Sequence, residues 1–285
     1  MSSAFFISVL AMGGLGIAFA ATLAIANKKL KVKEDPRIKK ILEALPMTNC
    51  GACGVAGCAA LAELLAGGKA DITACTAGGQ EIADAVAEAL GVESVETSRV
   101  LAVVLCRGGH AEAKVGAKYK GDMSCAAADL TGGEKLCAYS CLGYADCVDE
   151  CEFDAMDMSP NGLPVIFYDK CVGCGACAKA CPRDIIEMHP EEHKLFVYCK
   201  NRDKGAEAKK GCSVACIACT LCVKDCVSED GIKMQDNLAV IDYEACEQDD
   251  SSIKRCPTKC ILFDEEESVT REAYYSSLPG KAIGD

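Results

Sequence analysis

The sequence predicts an α+β protein with three parts: an N-terminal transmembrane helix, a small helical four-cysteine unit, and two tandem modules of short strands and helices built around cysteine runs. Three observations carry this. Residues 2–27 contain no charged side chain. Cysteine accounts for 23 of the 285 residues, mostly in short, near-regular runs. Those runs recur as an internal repeat in the second half of the chain, which marks duplicated units. The expected divisions are an anchor over 1–27, the four-cysteine unit over 28–92, and a linking region with a short strand over 93–136. The first module follows over 137–190, the second over 191–263, and an acidic tail over 264–285.

The anchor comes first. Phe5 to Ala26 is uninterrupted by charge and meets the roughly 20 apolar residues that a spanning helix needs. Lys28, Lys29, Lys31 and Lys33 follow, then Arg37, Lys39 and Lys40. Basic flanks stay in the cytoplasm, which puts the N-terminus outside and the rest of the chain inside the cytoplasmic (inner) membrane. A cleaved signal peptide would carry positive charge ahead of the apolar stretch, and Met1 to Ala4 carry none. With no ionisable residue in the span, the helix is not expected to conduct ions. Membrane lipid and other membrane subunits are its expected partners.

In the soluble part, Ala59–Ala66 and Gln80–Leu90 have helical periodicity, and Val100–Leu105 reads as a buried strand. The net charge of −12 and pI near 4.9 argue against nucleic acid, whose phosphates the surface would repel. An acidic surface also favours basic partners or simply keeps a chain soluble. Aromatic residues make up 5% and tryptophan is absent, so metal clusters are expected to do part of the folding work. An odd number of cysteines in tight runs does not describe a secreted disulfide framework. A reducing compartment, where thiolates persist, is the better reading.

Cys171, Cys174, Cys177 and Cys181-Pro182 form a C-x2-C-x2-C-x3-C-P run. This is the bacterial-ferredoxin spacing, in which three thiolates hold one [4Fe–4S] cube and the fourth reaches a second cube. Cys216, Cys219, Cys222 and Cys226 repeat the spacing without the proline. Structural zinc is the alternative, but its four-cysteine sites usually close with two C-x2-C pairs. The repeat extends further. Cys137, Cys141, Cys147 and Cys151 resemble the Cys212–Cys226 run, and Leu163–Cys171 parallels Leu238–Cys246. Cys181-Pro182 parallels Cys256-Pro257, and Cys106 and Cys199 each end a short apolar strand.

The crossing rule then assigns ligands. Cys137, Cys141 and Cys147 pair with Cys181. Cys171, Cys174 and Cys177 pair with Cys151, and Cys216, Cys219 and Cys222 pair with Cys256. A last ferredoxin-type site keeps Cys226 and Cys246, but Asp249 and Ser252 stand where two thiolates belong. Hard oxygen ligands suit such clusters poorly, so this site is expected to be empty unless Cys212 or Cys260 rescues it. Cys50, Cys53, Cys58 and Cys75 form a separate four-thiolate set with small residues around it. Four cubes are expected in total, with a fifth in doubt. Cys106, Cys125, Cys199 and Cys212 are left over, and a buried structural thiol is the default for each. Cys106 with Cys125 helping to hold something extra is the less favoured alternative. His110, His189 and His193 are expected at the surface.

The anchor, the Asn49-Cys-Gly-Ala-Cys-Gly core and the paired modules together resemble the B subunit of the Rnf complex, a membrane-bound ferredoxin:NAD oxidoreductase. Cys141-Leu-Gly-Tyr-Ala-Asp-Cys147 and Asp203-Lys-Gly205 resemble its longer versions. The departures are Asp249 and Ser252 at the last site and Glu152 where a proline follows the fourth cysteine. The resemblance implies that soluble reduced ferredoxin gives electrons to this chain. They would pass on to membrane subunits or an NAD-binding subunit while sodium ions or protons cross the membrane. The chain would thus be one subunit of an ion-translocating oxidoreductase, with no catalytic residues of its own beyond electron transfer. The sequence has neither a dinucleotide-binding G-x-G-x-x-G nor a P-loop, so nucleotide chemistry is expected elsewhere. Two other functions stay open. One is electron delivery to a redox-sensing transcription factor. The other is a polyferredoxin of a one-carbon or corrinoid system, against which the anchor argues.

Overall fold

The computed structural model describes residues 3–30, 35–264 and 270–277. Helix α1 spans Ser3–Leu30. Its apolar stretch Val9–Lys29 has no protein packed on it. Leu10, Met12, Ile17, Phe19 and Leu23 are exposed around its circumference. A helix apolar on every side is stable only when something apolar surrounds it, and its length suits a bilayer. Lys31 and Lys33 lie outside the described residues, whereas Lys28 and Lys29 close the last turn.

Three helices build the unit that follows. Helix α2, Pro36–Ala44, starts where Asp35 accepts the Arg37 backbone N–H at 2.9 Å, with proline in the first turn. Helix α3 is Cys58–Ala66 and α4 is Gly79–Leu90, which ends at Gly91 with φ 71°. Ile41, Leu61, Leu65 and Val86 form their common core.

The first module contains β1 (Val100–Val104), α5 (Cys125–Asp129), α6 (Asp146–Asp149), β2 (Met156–Met158), β3 (Pro164–Ile166), α7 (Ala176–Ala180) and β4 (Ile186–Pro190). The second contains β5 (Leu195–Val197), α8 (Gly205–Gly211), α9 (Leu221–Asp225), β6 (Ile232–Gln235), β7 (Leu238–Ile241), α10 (Ser251–Lys254) and β8 (Ile261–Phe263). Each module has two antiparallel two-stranded ladders. In the first, β1 pairs with β4, placing Val100 opposite Pro190 and Val104 opposite Ile186, and β2 pairs with β3. In the second, β5 pairs with β8 and β6 with β7. Strand β1 falls inside the 93–136 region that the sequence marks as a link. It is the outer strand of the first module, and its partner lies too far along the chain to leave a local signal.

Strand alternation joins the modules. Val103 and Leu105 from the first meet Phe196 and Tyr198 from the second in one buried cluster. The intervening residues point the other way, with Val104 and Cys106 toward the first core and Val197 and Cys199 toward the second. Phe196→Ala is expected to cost about 3–5 kcal/mol and to lower the melting temperature seen by circular dichroism. An unchanged melting temperature would exclude this junction.

Three expectations are corrected here. Asp264, grouped with a solvated acidic run, is buried and accepts the Tyr198 hydroxyl at 2.8 Å; burial raises its carboxyl. Glu265, Glu266 and Glu267 lie outside the described residues. The chain after them returns as α11, Arg271–Ser277, which docks on the first module: the Tyr274 ring lies 5.6 Å from Phe167 and its hydroxyl donates to the Met158 carbonyl at 3.3 Å. His189 and His193 are packed rather than free at the surface, because the turn from β4 to β5 lays them on the module junction. The His193 ring stacks on Tyr243 at 3.7 Å and His189 meets Phe196 edge-on at 5.0 Å. His189 and Lys200 hold the Glu187 carboxyl at about 2. His110 is exposed.

Candidate metal centres

The first centre is a loop closed by one asparagine. Cys50 and Cys53 lie on the loop before α3, Cys58 opens that helix, and Cys75 comes from the turn before α4. Asn49 Oδ1 accepts the Cys58 N–H at 2.9 Å. A side chain on Gly57, whose φ is 148°, would meet that oxygen at 2.9 Å, so the position needs glycine. Burial raises the Cys75 thiol most. The Gly78 N–H opposes this, and the thiols of Cys53, Cys58 and Cys50 add to the rise. Four sulfurs therefore face one another.

Two further centres surround closed, apolar cavities. Cys151, Cys171, Cys174 and Cys177 line one, with Ala102, Ala155, Ile166 and Met188. The loop carries left-handed glycines at 173 and 175, with φ 67° and 74°. A side chain on Gly173 would strike the Val100 carbonyl at 2.4 Å. Cys216, Cys219, Cys222 and Cys256 line the other, with Val197, Met234, Ala239 and Ile261. Here Ala218 and Thr220 take the left-handed positions. Each cavity thus receives three thiols from one loop and a fourth from the opposite end of its module. Cys260 lies 3.7 Å from Cys256, sulfur to sulfur. Hydrogen bonds from Cys260 bring the Cys256 thiol down to about 5 and Cys216 to about 6. In the first module the matching position, four residues past the crossing cysteine, is buried Ile185.

The fourth centre differs from its expected grouping. Left-handed Gly143 and Ala145, with φ 85° and 69°, match Gly173 and Gly175. Cys141 therefore occupies the place of Cys171, Cys147 that of Cys177, and Tyr144 that of Cys174. The missing sulfur comes from Cys125 at the start of α5. Asp146 pins it there, accepting the N–H groups of Cys125 at 2.8 Å and Ala126 at 3.0 Å and the Ser124 hydroxyl at 3.0 Å. The Tyr144 N–H points at the Cys125 sulfur. Burial raises the Cys147 thiol, followed by the charges of Cys141, Cys125, Cys181 and Cys177. Cys137 lies elsewhere, with its sulfur accepting from Asn201 Nδ2 at 3.2 Å. The signal available in sequence was the ferredoxin spacing with one cysteine replaced, Cys141-x2-Tyr144-x2-Cys147-x3-Cys151.

At the eroded position, Cys226 and Cys246 face each other around Gly231. Ser252 is buried and donates to the Cys222 carbonyl at 3.1 Å, and Asp249 accepts from Ser251 at 2.9 Å. Both oxygens are engaged locally. Cys260 sits with Cys216 and Cys256, and Cys212 sits beside Gly108 near Cys106.

The donor sets fit cubes. Zinc draws its thiolates to about 2.3 Å from a single point. Among the described residues, no three His, Cys, Asp or Glu side chains converge at ion spacing. Instead, thiols surround cavities walled by apolar groups, and backbone N–H groups point at the sulfurs. Those are the features that accommodate a cluster and tune its potential.

A family model described as a putative Fe-S cluster matches residues 45–77, and one described as a 4Fe-4S binding domain matches 164–187. Three relatives align along most of the chain, each the B subunit of a membrane complex. That of the Na(+)-translocating ferredoxin:NAD(+) oxidoreductase complex of Acetobacterium woodii is 43% identical over 93% of this chain and 80% of its own length. That of the ion-translocating oxidoreductase complex of Methanosarcina acetivorans is 39% identical over 92% and 99% respectively. That of the proton-translocating ferredoxin:NAD(+) oxidoreductase complex of Clostridium ljungdahlii is 37% identical over 87% and 88%.

Proposed function

Because the chain belongs to the family of B subunits of ion-translocating oxidoreductase (Rnf) complexes, we propose that it carries electrons from reduced ferredoxin toward the NAD-binding and membrane subunits of such a complex. It is an iron–sulfur electron-transfer subunit of an oxidoreductase, anchored by α1. Bound clusters supply one-electron storage at potentials set by their surroundings. The residues of this chain hold, screen and align them. Cys50, Cys53, Cys58 and Cys75 would hold one. Cys151, Cys171, Cys174 and Cys177 would hold a second, and Cys125, Cys141, Cys147 and Cys181 a third. Cys216, Cys219, Cys222 and Cys256 would hold a fourth.

The observation that carries this reading is the arrangement of the centres relative to one another. Cys50 and Cys174 open onto one cleft of about 400 Å³ between the helical unit and the first module. Cys177 and Cys147 lie close enough for their charges to interact. The centres would form a continuous route from the membrane-proximal unit inward. Ligand side chains from different elements hold this route, so it requires no moving part. The acidic surface would steer a partner with basic docking groups, with a rate that falls as salt rises.

The test uses inverted membrane vesicles containing the intact complex. Reduced ferredoxin should drive NAD(+) reduction with ion uptake, and vesicles lacking this chain should do neither. Ferredoxin-dependent NAD(+) reduction that persists without the chain would overturn the reading. The basic residues after α1 favour cluster domains on the cytoplasmic side. Protease should therefore cleave the chain in inverted vesicles and spare it in intact cells; the reverse pattern would invert the topology.

A further inference from the structure

We propose that Cys106, Cys137, Cys199 and Cys212 form an additional [4Fe–4S] site at the junction of the two modules, with each module contributing one symmetry-related pair of thiols. The inference rests on the reading above that the chain is loaded with clusters.

Symmetry is the first support. Cys106 stands two residues past β1, and Cys199 two residues past β5. Between strand and cysteine, Leu105 donates to the Ile185 carbonyl and Tyr198 to the Cys260 carbonyl, both at 2.7 Å. The Cys106 sulfur accepts the Cys141 N–H at 3.5 Å, and the Cys199 sulfur accepts the Cys216 N–H at 3.2 Å. Cys137 precedes Cys141 by four residues, just as Cys212 precedes Cys216. The four thiols left outside the other centres therefore form two equivalent pairs, which four unrelated packing cysteines would not.

Convergence is the second. A side chain on Gly108 would meet the Cys212 sulfur at 3.1 Å and the Cys106 sulfur at 3.8 Å, so both flank one glycine. Gly211, next to Cys212, packs against the backbone of Cys137. Asn201 links the other two. Its N–H donates to the Cys199 sulfur at 3.4 Å and its Nδ2 to the Cys137 sulfur at 3.2 Å. This side chain is 1% exposed.

The chemistry of those donors is the third. A neutral thiol is a weak acceptor. Buried N–H groups of Asn201, Cys141 and Cys216 are nonetheless aimed at these sulfurs, and buried donors normally find good acceptors. Ligand thiolates are such acceptors, and their hydrogen bonds are charge-assisted. Lys135, fixed by donating to the Gly108 carbonyl at 2.9 Å, adds a cation beside Cys106 and offsets the charge of the ligand set. The site abuts Cys141 on one side and Cys216 on the other. It would therefore carry single electrons between the modules, each transit oxidising one neighbour and reducing the next by one electron.

The test counts clusters on the full-length protein purified anaerobically in detergent, by native mass spectrometry with iron and sulfide analysis. Wild type should hold five cubes, about 20 iron atoms. Cys199→Ser and Cys212→Ser should each lose one cube and keep the other four, and Cys246→Ser should lose none. Four cubes or fewer in wild type would overturn the proposal even if a variant failed to fold. So would a fifth cube lost in Cys246→Ser but kept in Cys199→Ser, or zinc in place of the fifth cube. Wild-type protein with no cubes at all would instead refute the electron-transfer reading itself, and loss of ferredoxin-dependent activity with five cubes present would leave this site standing.

Discussion

Cys125→Ala is expected to remove one cube, about four iron atoms per chain, and Tyr144→Cys in the same chain to restore it. The loop from Cys141 to Cys147 has the backbone of a ferredoxin run, with left-handed residues at 143 and 145, yet a tyrosine stands at its middle ligand position. Cys125 fills the gap only because Asp146 holds the start of α5 against that loop. Moving the thiol from 125 to 144 should therefore preserve the ligand count. The change gives up the contact between Tyr144 and Tyr119, whose centroids are 5.7 Å apart. Such pairs are worth about 0.5–1.5 kcal/mol, too little to unfold the module. Iron analysis and low-temperature EPR read the result. The double variant Cys125→Ala/Cys137→Ala separates the two groupings. Loss of about eight irons means that the two thiols serve different cubes, and loss of about four means that they share one.

The second large effect is a gain. Asp249→Cys with Ser252→Cys should add about four irons per chain, because two thiolates would join Cys226 and Cys246 at a position with ferredoxin spacing. Ser252 is 1% exposed, so a thiol there would point into the protein rather than to solvent. The lost hydrogen bond to the Cys222 carbonyl costs about 1 kcal/mol, which a bound cluster would offset. The Cys246→Ser variant should match the iron content of wild type, because the native oxygens at 249 and 252 are hydrogen-bonded elsewhere. If Cys246→Ser alone lost four irons, Cys226 and Cys246 would already belong to an occupied site.

By itself the sequence determined the anchor, the three-part order, the cluster chemistry and the ligands whose spacing is local. Charge-free length decides a membrane helix, and a tight C-x2-C-x2-C loop places three thiols around one cavity whatever surrounds it. The duplication also made crossing partners such as Cys151 and Cys256 legible, since one module could be read against the other. Only the tertiary structure decided where the isolated thiols belong. Cys125 reaches its loop through Asp146, and Cys106 and Cys199 are aimed by the alternation of strands whose partners are distant in sequence. Cys137 is drawn from its nearest neighbours by Asn201 of the other module. The same holds for the module junction, the return of α11 and the burial of Asp264. Each depends on contacts between segments far apart in the chain, and no short-range pattern records such contacts.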